Sequence, residues 1–504
     1  MNGVWTKERL LTLFAMTCAI SMVFLNTTLL PIALPTIERE LLVSKTTLQW
    51  VINSYLLSVA VFVIAGGRIG DLFGHRRFFC IGMTVYACAS ILGGLAHAGW
   101  WLIMSRSIQG MGGAMMSPAA MSIMVHVFPI EKRGKAIGIM VAIGSLFLSV
   151  GPFIGGVFTE LLSWRWSFWC NLPIAIVGIS LAMKAVPPSP KLDEKFDFIG
   201  FFTLSIGLLC LTLGLMQGKS WGWGSPLIIS LFILAVIFIL AARFCERFAK
   251  EPFFDFKLFK RPVFVGGTIL IFCSQFILMI TVFWPVFFQK VLGYSPIYAG
   301  LYTAIATIPL MIVAPTSGTL TDHFGPRMPI LIGFTLTICC FAWFFIFARF
   351  HNMQLLIPAL VAFGSGMACV MTPASTAAIS SVPPSKTGIA TGMYNMIRFT
   401  GATIGVAVLG ATQNNVQEDA FGRFLAKHAS TRGLDPSIYE GFLSSLPSSV
   451  DAMEKLTPPV ATLVKTSLFQ ASSLAFSWIN LLTGGVALIA LGLGATFFKR
   501  TTRK

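Results

Sequence analysis

Charge is what this 504-residue sequence has least of. Asp, Glu, Lys and Arg make up 11% of it, against 56% hydrophobic residues and a mean hydropathy of +0.81. A soluble chain carries roughly a quarter of its residues charged to cover its surface, so a soluble fold is excluded. Acidic residues are the scarcer sign, 19 against 36 Lys and Arg, for a net charge of +17. On a soluble protein that excess suggests nucleic acid, but no basic, aromatic-interleaved soluble stretch is present, so no nucleic-acid partner is expected. The excess instead fits basic loops facing an anionic inner leaflet. The ten cysteines sit in or beside apolar runs, with none in the polar stretch 413–473 and no CxxC spacing. A disulfide framework and a metal site are both excluded by that usage. No H-E-x-x-H, G-x-S-x-G or P-loop pattern occurs, so neither a membrane enzyme nor a bound cofactor is expected.

What the sequence has in abundance is long apolar runs. Roughly 20 consecutive apolar residues span a bilayer, and fourteen candidate spans are read, from 10–33 to 474–498. The first is longer than a signal-peptide core and lacks a small-residue cleavage site, so it stays as a helix. Loops on the side of the N-terminus hold about twice as many Lys and Arg as those on the other side, which puts both termini in the cytoplasm of a multi-pass inner-membrane protein.

An internal repeat follows. GRIGDLFGHRR contains Gly67, Asp71, Gly74, Arg76 and Arg77; GTLTDHFGPR contains Gly318, Asp322, Gly325 and Arg327. The pattern G-x-x-x-D-x-x-G-x-R thus occurs twice, each time after a helix and on the same side. The first Gly would let two helices approach, the Asp would cap a helix or pair with an Arg, the second Gly would turn the chain, and the Arg residues would anchor at headgroups. Two copies in matching places suggest two repeated bundles around a midplane site, an alternating-access architecture.

With these motifs the chain resembles the major facilitator superfamily, and within it the fourteen-span drug:proton antiporter family of bacterial multidrug efflux pumps. LIMSRSIQGMGGAMMSPA (102–119) is similar to the family's span-4 motif, with Arg106, Gln109, Gly110 and Gly112 in place. GPFIGG supplies Gly151, Pro152, Gly155 and Gly156 of the span-5 antiporter motif, and SWRWSFWCNLPI (163–174) follows it. LQWVINSYLL (48–57), QKVLGYSPIYAG (289–300) and NMIRFTGATIGVAVLG (395–410) also fit. Phe147 stands where the family favours Gly. The resemblance implies an all-α integral membrane protein with the major facilitator fold: a six-helix bundle over 1–187, two inserted helices over 188–261, and a second six-helix bundle over 262–504 with an outside loop near 413–473. It also implies export of amphipathic or hydrophobic small molecules, with Arg106 in the proton-coupling machinery. The alternatives are a proton-independent facilitator, a lipid or metabolite exporter, or an importer of the same fold.

FLNTTLLPIALPTI (24–37) departs from the family, whose matching stretch carries an acidic residue where this chain has Asn26. None of the nineteen acidic residues falls in the middle of a predicted span. A proton path needs a titratable group, so three possibilities stay open: coupling through a rim group such as Glu160, Asp71 or His126; movement of a solute without protons; or movement of a lipid-like molecule between leaflets. Asn26, Thr27 and Thr28 would then form a neutral patch in a cavity, with Pro31 and Pro35 freeing carbonyls. Arg106 is either functional by virtue of its burial or a structural tie to carbonyls, Asn26 or Gln109. Asn53, Tyr55, Gln275, Trp284, Asn395 and Arg398 complete the candidate substrate contacts, each equally readable as an interhelical hydrogen bond. Partners expected are a small-molecule substrate, membrane lipids, protons, and a periplasmic adaptor if the source has two membranes.

Overall fold

A computed structural model describes residues 6–188, 197–218, 221–245, 255–350, 352–383, 387–426 and 458–498. Sixteen α-helices lie among them. The first seven are α1 (Lys7–Leu41), α2 (Lys45–Phe73), α3 (His75–Gly94), α4 (Gly99–Val127), α5 (Ile130–Val157), α6 (Trp166–Trp169) and α7 (Asn171–Ala185). Next come α8 (Phe198–Gln217) and α9 (Pro226–Cys245). The remainder are α10 (Pro262–Leu278), α11 (Ile280–Lys290), α12 (Pro296–Phe324), α13 (Arg327–Phe347), α14 (Met353–Ser380), α15 (Thr387–Ala426) and α16 (Pro458–Phe497). Among the described residues twelve stretches are long and apolar enough to cross a membrane, with α6–α7 and α10–α11 each acting as one. α4 and α15 fall outside that count, and the twelve are consistent with the fourteen expected if these two also cross.

Local chemistry sets where these helices begin. Thr6, Ser44, Asp197 and Asn352 each accept a backbone N–H from two or three residues on, satisfying donors that a helix start leaves open. Pro262 and Pro296 open α10 and α12, where the missing N–H costs nothing. Inside the spans, hydroxyls turn back on carbonyls one turn earlier. Thr17, Ser90, Ser274 and Thr337 all do so, which keeps polar atoms satisfied in apolar surroundings.

Crossing and recrossing gives the molecule two faces. The terminal face holds Thr6, the α2–α3 turn, the α12–α13 turn and the end of α16. The far face holds the α1–α2, α11–α12 and α13–α14 connections. α1 to α7 pack as one group and α10 to α16 as another, while α8 and α9 pair with each other and lean on α2 and α15. Forty residues of helix reach about 60 Å, twice a bilayer's hydrocarbon core. Accordingly α15 and α16, each 40 residues long, run past the far face and build a small core of their own from Ala420, Phe421, Leu425, Val464 and Ala471. The described parts of the 413–473 stretch are therefore helix, and 427–457 lies outside the described residues.

The repeated loop motif is visible as geometry. Gly74 and Gly325 sit at φ 91° and 77°, and each N–H donates to the carbonyl four residues back at 2.9 Å. Positive φ at both is the reason for glycine there. The first glycine of the motif behaves differently from expectation. A Cβ on Gly67 would meet only Pro118, at 3.7 Å, and one on Gly318 would meet nothing. The close approach belongs to Gly66, where α4 backbone at Ala114 leaves no room for a side chain.

Candidate functional site: an interior arginine tie and a far-face cleft

Arg106, on α4, is 1% exposed and its hydrogen bonds among the described residues go to neutral groups. Its Nε donates to Val51 O at 3.2 Å, its Nη1 donates to Asn26 Oδ1 on α1 and, at 2.5 Å, to Gln109 Oε1. Gln109 passes the chain on, its Nε2 donating to Ser90 Oγ at 2.8 Å. The Tyr55 ring lies 4.2 Å from the guanidinium carbon, and Tyr86 donates to Met22 O. A buried charge is costly unless hydrogen-bonded; here several neutral groups from α1, α2 and α4 share that task. Three predicted residues, Asn26, Tyr55 and Gln109, thus converge on Arg106. They form a closed tie inside one half of the molecule. Thr27 and Thr28 do not join them: their hydroxyls bond carbonyls on α1, and Thr28 also donates to Leu148 O on α5 at 3.0 Å. The expected neutral patch is therefore reduced to Asn26, because a helical threonine finds its own backbone first.

Of the span-5 glycines, Gly151 and Gly155 press α5 onto α1 within one half, and Gly156 builds a seam between the halves. A Cβ on Gly155 would lie 2.6 Å from Leu29 O of α1, and one on Gly156 2.5 Å from Pro296 O of α12. Gly151 is pressed against Thr28, and Gly300 of α12 returns the contact onto Pro152 O. Backbone meets backbone there, as small residues allow. Ser149 and Thr307 then exchange hydrogen bonds, each hydroxyl donating to the other's carbonyl at 3.0 and 3.1 Å. Glu160 closes the top: its Oε2 accepts from Ile297 N at 2.8 Å, a free donor in the first turn of α12. Nearer the terminal face, Gly138 and Gly318 have open space where a Cβ would go, and Leu146 and Ile312 are exposed. The backbone-to-backbone contact of the two halves thus lies at the far face.

Beside the seam lies a narrow cleft of about 70 Å³, lined from both halves. Glu38, on the last turns of α1, is 2% exposed and bonds Lys290 Nζ of α11 at 2.5 Å. Gln289 donates to Ile32 O at 2.9 Å beside it. Lys45 donates to Gln417 Oε1 at 2.7 Å, and Gln417 Nε2 donates to Ser472 Oγ at 2.7 Å. Phe283, Phe287 and Phe476 form the apolar wall, with Phe287 and Phe476 stacked at 3.8 Å. None of Glu38, Lys45 and Lys290 was expected from the sequence. Hydropathy ends span 1 near residue 33, before Glu38, yet α1 continues to Leu41 and buries it. An acid placed three residues after an intrahelical proline, facing the lysine of QKVLGYSP, is a signal only in three dimensions.

The family model described as Major Facilitator Superfamily matches residues 16–406. The chain belongs to the Major Facilitator Superfamily. It is 30% identical over 413 residues to the "Tetracenomycin C resistance and export protein" of Streptomyces glaucescens, covering 81% of this chain and 77% of that protein. It is 32% identical over 412 residues to the "Multidrug resistance protein Stp" of Mycobacterium tuberculosis, covering 80% and 76%. In fold it is similar to a bacterial homologue of the human lysosomal transporter Spinster, in an inward-facing and unoccupied conformation, with a TM-score of 0.65 at 14% identity, covering 99% and 100% of the two chains.

As a multi-pass protein of this superfamily, the chain distributes the remaining predicted residues unevenly. Asn53 is fully buried and donates to Met216 Sδ of α8 at 2.8 Å, facing the inserted pair and not the Arg106 tie. Trp284 is buried in the second half between Phe344 and Phe363, with ring centroids 5.4 and 4.8 Å away, which is a packing position. Gln275 reaches only Met371 Sδ, at 3.9 Å. Arg398 rests 5.5 Å from the Phe399 ring, with Nε lacking a hydrogen-bond partner, and Asn395 is one turn before it on α15. Arg76 bonds Met183 O, Arg77 is exposed and Arg327 half-buried. The side chains of Asp71 and Asp322 lie outside the described residues. Gly110 and Gly112 let α4 press on Tyr55 O and Tyr86 N.

Proposed function

We propose that this protein exports amphipathic or hydrophobic small molecules across the cytoplasmic membrane by alternating access, with both termini cytoplasmic. The observation that carries this is the seam: α5 and α12, from the two halves, touch backbone to backbone at Gly156 and Gly300, at the far face. Two bundles that meet through small residues at one end can exchange which end is shut. Relatives named for drug resistance and export support the direction. The basic terminal-face loops favour a cytoplasmic terminal face, so the conformation would be inward-facing.

Proton antiport is part of this proposal, with the proton carried elsewhere than at position 26, since an amide does not titrate. A proton-independent mode is the second reading, favoured by the Arg106 tie, which is complete with neutral partners. Membrane lipids would surround the bundles, and a periplasmic adaptor would be a partner in a two-membrane cell. The test is uptake of a fluorescent dye into inverted vesicles, with and without an imposed pH gradient. Gradient-driven accumulation supports export by antiport. Accumulation down the dye's own gradient, indifferent to pH, supports the second reading. No transport of any amphipathic dye or lipid by folded protein rejects both.

A further inference from the structure

We infer that the far-face cleft is a ligand subsite for an uncharged amphiphile that donates a hydrogen bond, such as a hydroxyl or amide N–H on an aromatic or alkyl body. This rests on the export reading but concerns binding alone. Its place is distinct from the interior tie: Glu38 is twelve residues along α1 from Asn26, about 18 Å of helix.

Three observations select this chemistry. First, Glu38 is 2% exposed and lines the cleft; Lys290 takes Oε2 and Oε1 has no hydrogen-bond partner. Gln413, lining the same cleft, also has a buried amide oxygen without a partner. Buried acceptors left open call for a donor. Second, the charges lining the cleft are Glu38, Lys45 and Lys290. Glu38 and Lys290 neutralise each other, and Lys45 donates to the neutral Gln417 amide, with the exposed Glu418 also acting on it. A cation approaching Glu38 would have to compete with the Lys290 ammonium already paired with it. A carboxylate has no hydrogen to give the open oxygen. Third, the rest of the wall is apolar and aromatic, with Leu48, Ile52, Phe283, Phe287 and Phe476, which suits an amphiphile's body.

The site also spans the two halves. Glu38 and Lys45 come from one, Lys290, Gln413 and Gln417 from the other. A donor on Oε1 would therefore share the carboxylate whose Oε2 ties the halves together through Lys290.

The test is equilibrium binding to the full chain in phosphatidylcholine nanodiscs at pH 7, with empty discs subtracted. Three probes share one skeleton: octyl 4-hydroxybenzoate, octyl 4-methoxybenzoate and octyl 4-(aminomethyl)benzoate. The hydroxyl compound should bind about tenfold or more tighter than the methoxy compound, the worth of one hydrogen bond to a charged acceptor. The aminomethyl cation should bind no better than the methoxy compound. Glu38→Gln should shrink the hydroxyl preference to about twofold or less. Should that variant fold poorly, Lys45→Met leaves the Glu38–Lys290 pair intact and should improve binding of the aminomethyl cation severalfold. Equal binding of the three probes to the wild type overturns the subsite, as does an unchanged hydroxyl preference in folded Glu38→Gln. Displacement of the hydroxyl probe by dioleoylglycerol added to the discs overturns the assignment to a free solute, and no displacement supports it. Binding as predicted without vesicle transport would reject the export reading and leave the subsite standing.

Discussion

Two of the protein's buried charges are held in opposite ways. Arg106 is satisfied inside one half, by Val51 O, Asn26 and Gln109, groups that travel together as α1, α2 and α4. Glu38 is satisfied across the halves, by Lys290. A bond made within one rigid group survives any rearrangement between groups. A bond made between groups is broken and remade each time they part. The first arrangement supplies rigidity, and the second supplies a term that changes with conformation. The seam beside Glu38 has the same character, since Gly156 and Gly300 matter only while the far face is shut.

The largest expected effect comes from forcing that seam. Gly156→Leu places a side chain where Pro296 O lies 2.5 Å from the first added carbon. Overpacking costs about 1–3 kcal/mol, and here it acts only on the far-closed state. Dye transport should fall below about a tenth of wild type while thermal unfolding of the purified protein shifts little. A maleimide that does not cross membranes should label Thr307→Cys, in a background with the native cysteines replaced, faster in the Gly156→Leu protein. Wild-type transport in this variant would show that the seam never has to re-form.

Breaking the interior tie comes next. Arg106→Ala leaves Asn26, Gln109 and Val51 O without their donor and opens a void over Tyr55. About 2–4 kcal/mol of stability should be lost, with transport falling in step. Arg106→Lys should recover part of both, because an ammonium cannot serve three divergent acceptors and stack on a ring as a planar guanidinium does. If Arg106→Ala unfolds normally but does not transport, the residue acts in the cycle itself and not only as a tie.

Those residues also mark how far the sequence could be read. The turn glycines Gly74 and Gly325, the span-5 glycines and the Arg106 neighbourhood were legible, because each rests on a local rule: a positive φ, a missing side chain, a charge that must find partners. Glu38 was not legible. Hydropathy closes a span where apolar residues stop, but a helix can continue past two prolines and bury an acid against another half of the chain. Trp284 shows a second gap. An aromatic with an N–H in an apolar span looks like a ligand contact, yet its neighbours Phe344 and Phe363 lie about 60 and 80 residues later in sequence, so their stacking is invisible until the helices are placed. Gly66 and Gly67 are adjacent, and only the direction of each Cα decides which one α4 presses on.

Separating Glu38 from Lys290 should cost less than either change above. Lys290 keeps part of its side chain in solvent, which weakens the pair relative to a sealed one. A double-mutant cycle on Glu38→Gln and Lys290→Met should give a coupling of about 1–2 kcal/mol. The pair holds the far face shut, so each single variant should populate the far-open state more, read by the same maleimide labelling of Thr307→Cys. Additive effects, with no coupling in either unfolding or labelling, would reduce the pair to a coincidence of packing.

The smallest expected change is also the one that separates tie from carrier at the midplane. Asn26→Asp keeps the oxygen that Arg106 already uses and replaces the amide group with a second oxygen, so shape is preserved and a neutral contact becomes an ion pair. Stability at neutral pH should move by no more than about 1 kcal/mol, because the gain in attraction is set against the cost of burying another charge. The sign of the pH dependence follows. The added pair exists only while the carboxylate is ionised, so whatever stability it contributes is present at higher pH and is lost as the carboxylate takes a proton. Wild type has no carboxylate in this tie and should lack that step. Thermal unfolding of both proteins between about pH 4 and 8 reads the difference directly, and dye transport over the same range should show the extra step in the variant alone. An identical pH profile in the two proteins would mean that position 26 is sealed from protons in every conformation of the cycle, and that the tie is structure throughout.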